Sequence, residues 1–527
     1  MNPALDLPER FNASEYFVDR RLADGEGGRI AFECGDEQVT YAEVAERVNR
    51  FGNALRQSLG ARMEERVPLL LLDGPEFAYC FFGAIKAGAV PVPLNTLLRP
   101  ADYEFLLNDS RARVVVVSDS LLPLIEEIPR ERLPYLEHIV VAGEARAPAS
   151  HSLSQVLEAH SPTLAPAPTH RDDVAFWLYS SGSTGRPKGC VHLQHDMVVT
   201  SELYAKDILK ATRDDRFFSV AKLFFAYGLG NGLYFPFALG ATSILLPSPP
   251  TPKNVFSIIE RYRPTLFFSV PSNFAALLDY RREGRDFDLS TVRHGISAGE
   301  ALPAPIFERF RIRFGVEILD AIGSTEALHM FIANRPGAAR AGSSGQIIPG
   351  CEARLLDEAG EAVPAGEIGS LWIRSDAVCS GYWNQHEKTK ETFEGQWLRT
   401  GDKYRQDEDG YFWYAGRSDD MLKVSGVWVS PAEIECVLVD HPAVREAAVV
   451  GRRDKDDLVK PAAWIVLRDG RQGDDALALD LQEFVVSRLA VYKRPRWIEF
   501  VTELPKTATG KIQRFKLRES SGTPSKI

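Results

Sequence analysis

The sequence predicts an α/β protein, on three observations. Before Gly345, short runs of continuous apolar and β-branched residues alternate with segments of helical periodicity, the pattern of a parallel sheet covered on both faces. From Gly345 the texture changes to short segments separated by Gly, Asp and Pro turns, which predicts a mostly antiparallel β unit. The C-terminal part then returns to mixed helix and strand.

Taken in order, Thr40 is an N-cap, and Glu43 completes a capping box for a helix carrying Val44, Val48, Phe51 and Leu55. Residues 67–72 read as a buried strand, 77–87 as a helix ended by Gly88, 90–94 as extended and 113–117 as a β-branched strand. Further strands are expected at 174–179, 242–246 and 266–270, with a helix at 254–261. In the β-rich part, 352–356 and 370–373 read as strands. Beyond it come a helix at 431–439, strands at 445–450 and 462–466, a helix at 479–489 and a polar, frayed tail from Arg518. A boundary between Arg417 and Asp420 fits this texture. The longest apolar stretch, 77–94, is interrupted by Gly83, Lys86, Gly88, Pro91 and Pro93, so it predicts a buried helix and an extended segment, not a membrane span.

The 527 residues are 45% hydrophobic and 25% charged, an ordinary globular composition that excludes a disordered polymer, a collagen-like repeat and a small disulfide scaffold. Sixty-two Lys and Arg against 72 Asp and Glu leave a net charge of −10 with no basic block, so neither nucleic acid nor membrane is an expected partner. Cys34, Cys80, Cys190, Cys351, Cys379 and Cys436 show no CxxC spacing, which points to free thiols and not to a zinc or redox site. With an N-terminal stretch that lacks an apolar h-region, this sets the expectation of a cytoplasmic protein.

The strongest local signal is Tyr179-Ser180-Ser181-Gly182-Ser183-Thr184-Gly185-Arg186-Pro187-Lys188-Gly189. A strand feeds a loop of glycines and hydroxyls that ends in lysine. Glycines let the backbone approach an anion, hydroxyls and amides donate to phosphate oxygens, and Lys188 adds charge. It is not a Walker loop, because GxxxxGK[ST] is absent.

This string resembles the signature loop of the acyl-adenylate-forming (AMP-binding) superfamily, in its acyl-CoA synthetase branch. Four more strings follow in that family's order: Asp320-Ala321-Ile322-Gly323-Ser324-Thr325-Glu326; Thr400-Gly401-Asp402; Gly416-Arg417-Ser418-Asp419-Asp420 with Lys423-Val424-Ser425-Gly426; and Pro505-Lys506-Thr507-Ala508-Thr509-Gly510-Lys511-Ile512. The resemblance implies an N-terminal domain, 1–418, of two βαβ-type subdomains plus a β-rich subdomain. It also implies a small mobile α+β lid, 419–527.

The implied reaction has two half-steps. A carboxylate attacks the α-phosphate of ATP, giving an acyl-adenylate and pyrophosphate; the thiol of CoA then attacks the carbonyl and expels AMP. Two anions meet in the first step, so positive charge has to lie between them. By resemblance Lys511 bridges carboxylate and phosphate, Thr325 donates to the α-phosphate and Glu326 ligates Mg²⁺. ATP is held by Ser180, Ser181, Gly182, Ser183, Thr184, Gly185, Lys188, Gly299, Glu300, Ala301, Asp320, Ile322, Asp402 and Arg417. Asp402 is read as the acceptor for the ribose hydroxyls, which suits an acceptor-only carboxylate. Asp419 matches the hinge, and Ser425 and Gly426 the passage for the pantetheine arm of CoA. Ile322 stands where many members carry an aromatic residue, so it packs against adenine without stacking.

The acid pocket of the family begins at Lys222-Leu223-Phe224-Phe225-Ala226-Tyr227. Phe225 replaces the His of many phenylpropanoid- and fatty-acid-activating members. No acidic residue lies between Lys222 and Pro236 to hold a substrate ammonium, so an amino acid is not the expected substrate. The run Phe-Phe-Ala-Tyr-Gly-Leu-Gly-Asn, with Gly-Ser-Thr-Glu-Ala-Leu-His, closely resembles the ligases that join benzoate to CoA. Ala226, Tyr227, Ile322, Gly323 and His329 are the expected walls of a flat aromatic slot. His329, three residues past Glu326, is expected on a helical turn facing the same cleft. Three alternatives stay open: a ligase for hydroxy- or aminobenzoate, an adenylase that loads a carrier protein, and a nucleotide sensor without catalysis. A homo-oligomer is equally open.

Overall fold

The capping box at Thr40 forms as the sequence predicts. Thr40 Oγ1 accepts from the Glu43 N–H at 3.3 Å, and the Glu43 carboxylate accepts from the Thr40 N–H at 2.8 Å, which starts the helix Tyr41–Gln57. The apolar stretch becomes the helix Pro75–Ala87, ended by left-handed Gly88 and followed by the strand Val90–Pro93. That helix is buried all round. Its one lysine, Lys86, is 2% exposed and donates to Asp19 Oδ1 (2.7 Å) and Asn49 Oδ1 (2.6 Å), so a cation sits inside the core held by a carboxylate and an amide oxygen. Among the described residues, no helix is long and apolar enough to cross a membrane.

The computed structural model describes residues 6–144, 150–180, 187–284, 286–418, 420–424, 427–454, 458–468, 470–506 and 512–520. It is a mixed α/β structure with a large N-terminal and a smaller C-terminal domain. A five-stranded sheet runs Val90–Pro93, Arg66–Leu70, Val114–Ser118, His138–Ala142, Ser150–Ser152, all parallel. A nine-stranded sheet runs Gln346–Ile347, Met330–Ala333, Ile318–Gly323, His294–Ser297, Leu266–Ser269, Arg216–Ser219, Thr242–Leu245, Ile30–Cys34, Glu37–Thr40. Its centre is parallel and both edges are antiparallel. Two strands near the N-terminus, Ile30–Cys34 and Glu37–Thr40, therefore belong to the second sheet, the first of them in register Phe32↔Ser243.

The β-rich part is antiparallel as expected, with Glu352–Leu356, Ile368–Arg374, Trp397–Gln406 and Phe412–Arg417 side by side. After it, Val444–Arg453, Val459–Leu467 and Trp497–Val501 form a separate three-stranded sheet, against which the helices Pro431–Asp440 and Asp475–Val486 pack around Ile434, Leu438, Leu481 and Val485. The helix Asp475–Val486 starts earlier than the apolar pattern suggests because Asp474 caps it, accepting from the Leu477 N–H at 2.8 Å.

The strand ends that matter for chemistry are those of Leu266–Ser269, His294–Ser297 and Ile318–Gly323. They lie side by side and parallel, so their C-terminal ends share one edge, the usual ligand position of an open parallel sheet.

Candidate active site

The strand Val174–Ser180 turns back as an antiparallel partner of Lys188–Leu193, with Ser180 opposite Lys188. The glycine- and serine-rich run thus joins two strands of a hairpin. Ser181, Gly182, Ser183, Thr184 and Gly185 lie outside the described residues, as do Asp419, Ser425, Gly426 and Lys511. At the base of the hairpin the Lys188 ammonium sits 4.5 Å over the Tyr382 ring, a cation–π contact. The Ser180 hydroxyl reaches Glu326 Oε1 at 3.3 Å.

Glu326 lies on a turn between the strands Ile318–Gly323 and Met330–Ala333. Oε1 also accepts from the Tyr382 hydroxyl at 2.8 Å, and the Glu326 carbonyl accepts from the Cys379 N–H at 2.7 Å. Thr325 is tied from the other side, where His192 Nε2 lies 2.8 Å from its carbonyl. A carbonyl only accepts, so Nε2 carries the hydrogen. The other ring nitrogen, Nδ1, lies 2.8 Å from Asp196 Oδ2, and both side chains are fully buried. Tyr382, His192 and Asp196 therefore hold the motif in place. None of them was legible in the sequence, because each meets Thr325 or Glu326 only through the fold.

Glu326 presents one carboxylate, with hydroxyls on a single oxygen, beside the base of the hairpin Val174–Ser180/Lys188–Leu193. Mg²⁺ is commonly held by one or two carboxylates together with nucleotide phosphates, so this donor set fits it.

The residues expected at the ribose form one connected unit. Asp402 and Arg417 are cross-strand partners. Arg417 Nη1 donates to Asp402 Oδ1 (3.2 Å) and to the Thr400 carbonyl (3.0 Å), while the Asp402 N–H donates to Thr400 Oγ1 (3.1 Å). Gly299, Glu300 and Ala301 follow the strand His294–Ser297 and are at least partly exposed. Glu300 Oε1 accepts from the N–H of Ile512, the residue after Lys511, at 3.2 Å. The C-terminal domain therefore reaches this loop.

Asp320 is buried beneath the same loop, 3% exposed, and accepts from the Leu302 N–H at 3.4 Å. Burial pushes its carboxyl up to about 8, only partly offset by that hydrogen bond. Its side chain supports the loop from inside.

The residues expected to wall the acid pocket lie on the helix Ala226–Leu229, the π-helical turn Gly230–Tyr234 and the turn that carries His329. Buried Asp73 holds the approach to it, accepting from the Leu223 N–H at 3.0 Å and lying 3.6 Å from Lys222 Nζ. The Tyr227 hydroxyl reaches the carbonyls of Ser269 (3.2 Å) and Ile296 (3.0 Å), pinning the ring to the strand ends. His329 lies 5.8 Å from the Tyr227 ring and 4.5 Å from that of Phe235, with Nε2 3.2 Å from Asn231 Oδ1. Burial lowers its pKa to about 3, so the imidazole is neutral. The expected helical turn at His329 is instead an irregular one: Leu328 has a left-handed φ of 63°, which turns His329 inward. A Cβ on Gly230 would lie 2.5 Å from His329 Cδ2, and one on Gly323 would lie 2.4 Å from the His329 carbonyl oxygen, so both glycines are needed for this approach. Ala226 packs in the same apolar cluster as Tyr227, whereas Ile322 packs with Ala327 and Phe331 on the side of the β-rich sheet. Among the described residues, Asn231 Nδ2, His329 Nδ1 and the Tyr204 hydroxyl are buried with no hydrogen bond of ordinary geometry.

Asp320 and His329 set opposite pH trends. Asp320 keeps its proton to about pH 8 when folded and loses it near 3.8 when unfolded, so between those values stability falls as pH rises. His329 takes up a proton on unfolding between about 3 and 6.5, so over that window stability rises with pH. The slopes cancel between 3.8 and 6.5, and only the Asp320 decline remains from there to about 8. Asp320→Asn is expected to remove that decline, about 2 kcal/mol at ~1.4 kcal/mol per pH unit, and to expose the rise below it. Thermal midpoints of variant and wild type from about pH 5 to about pH 8 check both signs.

The fold and the site define a nucleotide-using enzyme, and comparison with known proteins gives the same class. The chain belongs to the AMP-binding enzyme family: residues 19–383 match the family model for AMP-binding enzymes, and 433–511 match that for the AMP-binding enzyme C-terminal domain. It is 51% identical to a benzoate–CoA ligase of Thauera aromatica over 98% of both chains. It is 45% identical to a 4-hydroxybenzoate–CoA/benzoate–CoA ligase of Rhodopseudomonas palustris, over 97% of this chain and 94% of that one. Among solved structures, the anthranilate CoA ligase AuaEII in complex with anthranoyl-AMP superposes with a TM-score of 0.94 at 46% identity, covering 98% of each chain. A benzoate CoA ligase of Burkholderia xenovorans gives 0.89 at 46% identity, covering 96% of this chain and all of that one.

Proposed function

We propose that this protein is an ATP-dependent benzoate–CoA ligase, converting benzoate, ATP and CoA into benzoyl-CoA, AMP and pyrophosphate through an acyl-adenylate. The observation that carries this reading is the neutral, aromatic wall of Tyr227, Phe235 and His329, packed against Gly230 and Gly323 and one short turn from Glu326, where the sequence places an aromatic slot. A flat ring with one carboxylate fits such a slot, whereas an ionised substituent would lose its hydration without a counter-charge.

In the first half-reaction a carboxylate oxygen bonds to the α-phosphorus and pyrophosphate leaves. Lys511 supplies the charge between the two anions, and Thr325, fixed through its carbonyl, donates to the α-phosphate. Glu326 would hold Mg²⁺, which when bound would neutralise nucleotide phosphate charge. Ser180, Lys188 and the loop between them hold the phosphates, Asp402 and Arg417 the ribose, and Gly299 to Ala301 the base. In the second half-reaction the CoA sulfur attacks the carbonyl carbon, AMP leaves and the thiol proton passes to solvent. For this the domain from 419 onward turns about Asp419, withdrawing Lys511 and presenting Ser425 and Gly426. The division 1–418 and 419–527 and a cytoplasmic setting belong to the same reading.

A second reading, that amino- or hydroxybenzoates are also accepted, is favoured by the unpartnered Asn231 Nδ2, His329 Nδ1 and Tyr204 hydroxyl. A panel of benzoate, 2-aminobenzoate, 4-hydroxybenzoate, an aliphatic acid and an amino acid separates these. Benzoate is expected to release pyrophosphate without CoA and to form a thioester with it. Pyrophosphate release with only the aliphatic or amino acid would overturn the assignment. Thioester transfer to a carrier protein but not to CoA would make the enzyme a carrier-loading adenylase.

A further inference from the structure

On the face of the N-terminal domain that meets the C-terminal domain, one carboxylate serves two arginines. Asp279, at the end of the helix Pro271–Asp279, accepts from Arg309 Nη2 at 3.3 Å; Arg309 belongs to the neighbouring helix Ala304–Phe314 of the same domain. The same oxygen, Oδ1, accepts from Arg468 Nη1 at 2.6 Å, and Arg468 follows the strand Val459–Leu467 of the C-terminal domain. Among the described residues it is the one ion pair that joins the two domains. Arg281, Asp440 and His441 line the same interdomain recess.

We propose that Asp279 and Arg468 form a latch that holds the C-terminal domain in the adenylate-forming orientation, with Arg309 as the residue that makes the latch reversible. The proposal rests on the two-step reading given above. The orientation is identified by the Ile512 N–H on Glu300, which brings the residue next to Lys511 to the nucleotide side. In this orientation Arg468 and Arg309 compete for one oxygen, and the Arg468 charge works against that of Arg309. When the domain turns, Arg468 leaves with it, and Asp279 keeps a cationic partner. No uncompensated carboxylate is created, so release is cheap. The three side chains are 26% to 39% exposed, so the pair is partly screened and suited to being made and broken once per turnover.

This makes two variants act in opposite directions. Arg468→Ala removes the latch, and the ratio of thioester formation from supplied benzoyl-adenylate to adenylate formation from benzoate and ATP is expected to rise about twofold to fivefold. Arg309→Ala leaves Asp279 undivided for Arg468 and is expected to lower that ratio by a similar factor. Asp279→Asn should behave like Arg468→Ala, Asp279→Glu should restore the wild-type ratio, and added salt should shift wild type toward Arg468→Ala without moving the latter. Cleavage of the segment joining the domains by a protease, read without any chemistry, should be faster for Arg468→Ala and slower for Arg309→Ala. An unchanged ratio and cleavage rate in Arg468→Ala, or equal shifts of one sign in both arginine variants, would overturn the latch. A wild-type protein that forms no adenylate from benzoate overturns the substrate reading instead, and the proteolysis comparison still decides the latch.

Discussion

Lys511→Ala is expected to slow adenylate formation by about a hundredfold to a thousandfold, the usual cost of removing one group that stabilises developing charge. Thioester formation from supplied benzoyl-adenylate is expected to stay near the wild-type rate. The first step brings a carboxylate against a phosphate, and without the ammonium their repulsion is unrelieved. The second step joins a thiol to an already activated carbonyl and does not need that charge. The reach of the C-terminal domain supports this: Ile512, the next residue along, has its N–H on Glu300, within the loop assigned to the base. Pyrophosphate release without CoA and thioester formation from the adenylate, measured on one preparation, separate the steps. A parallel loss of both with an unchanged thermal midpoint would show that one arrangement serves both steps.

Glu326→Gln is expected to lower adenylate formation about a hundredfold and to raise the Mg·ATP concentration needed for half-maximal rate, with little change in thermal midpoint. The amide has the carboxylate's shape and still accepts the Tyr382 and Ser180 hydroxyls through one oxygen, so the turn keeps its geometry. What is lost is the formal charge toward a divalent cation. Tyr382→Phe is the control. It removes one hydrogen bond to Glu326 and keeps the charge, so only a severalfold loss is expected, about 1 kcal/mol. Equal losses in the two variants would mean that Glu326 acts by holding its turn and not by its charge.

Much of the architecture was legible in local chemistry. The Thr40 capping box, the stop at Gly88, the valines at 114–117 and the turn-rich texture after Gly345 each encode their structure within a few residues. Site geometry was less so. His329 was expected on a helical turn because three-residue spacing suits one; the left-handed Leu328 breaks that periodicity and no residue type announces it. Gly230 and Gly323 look like ordinary loop glycines until the fold brings His329 against both. The His192–Asp196 pair has helical spacing, but its target, the Thr325 carbonyl, lies 133 residues away. Ile322 was assigned to both adenine and acid walls, since sequence alone does not say which face of its strand meets which ligand. In the structure it packs with Ala327 and Phe331, on the side of the β-rich sheet.

The strand Ile30–Cys34 has its parallel neighbour in Thr242–Leu245, and the Thr242 hydroxyl donates to the Ile30 carbonyl across 212 residues of chain. During synthesis that early strand emerges with its hairpin partner Glu37–Thr40 on one side, but with its other edge open and its parallel mate not yet made. At about 5–20 residues per second the ribosome needs on the order of 10–40 s to deliver the mate. The first parallel sheet can assemble meanwhile, but this strand cannot, and an exposed strand edge invites pairing with other chains. A fragment ending before Thr242 is therefore expected to aggregate even though it contains the whole five-stranded sheet, and slower translation lengthens the interval in which a nascent chain is at that risk.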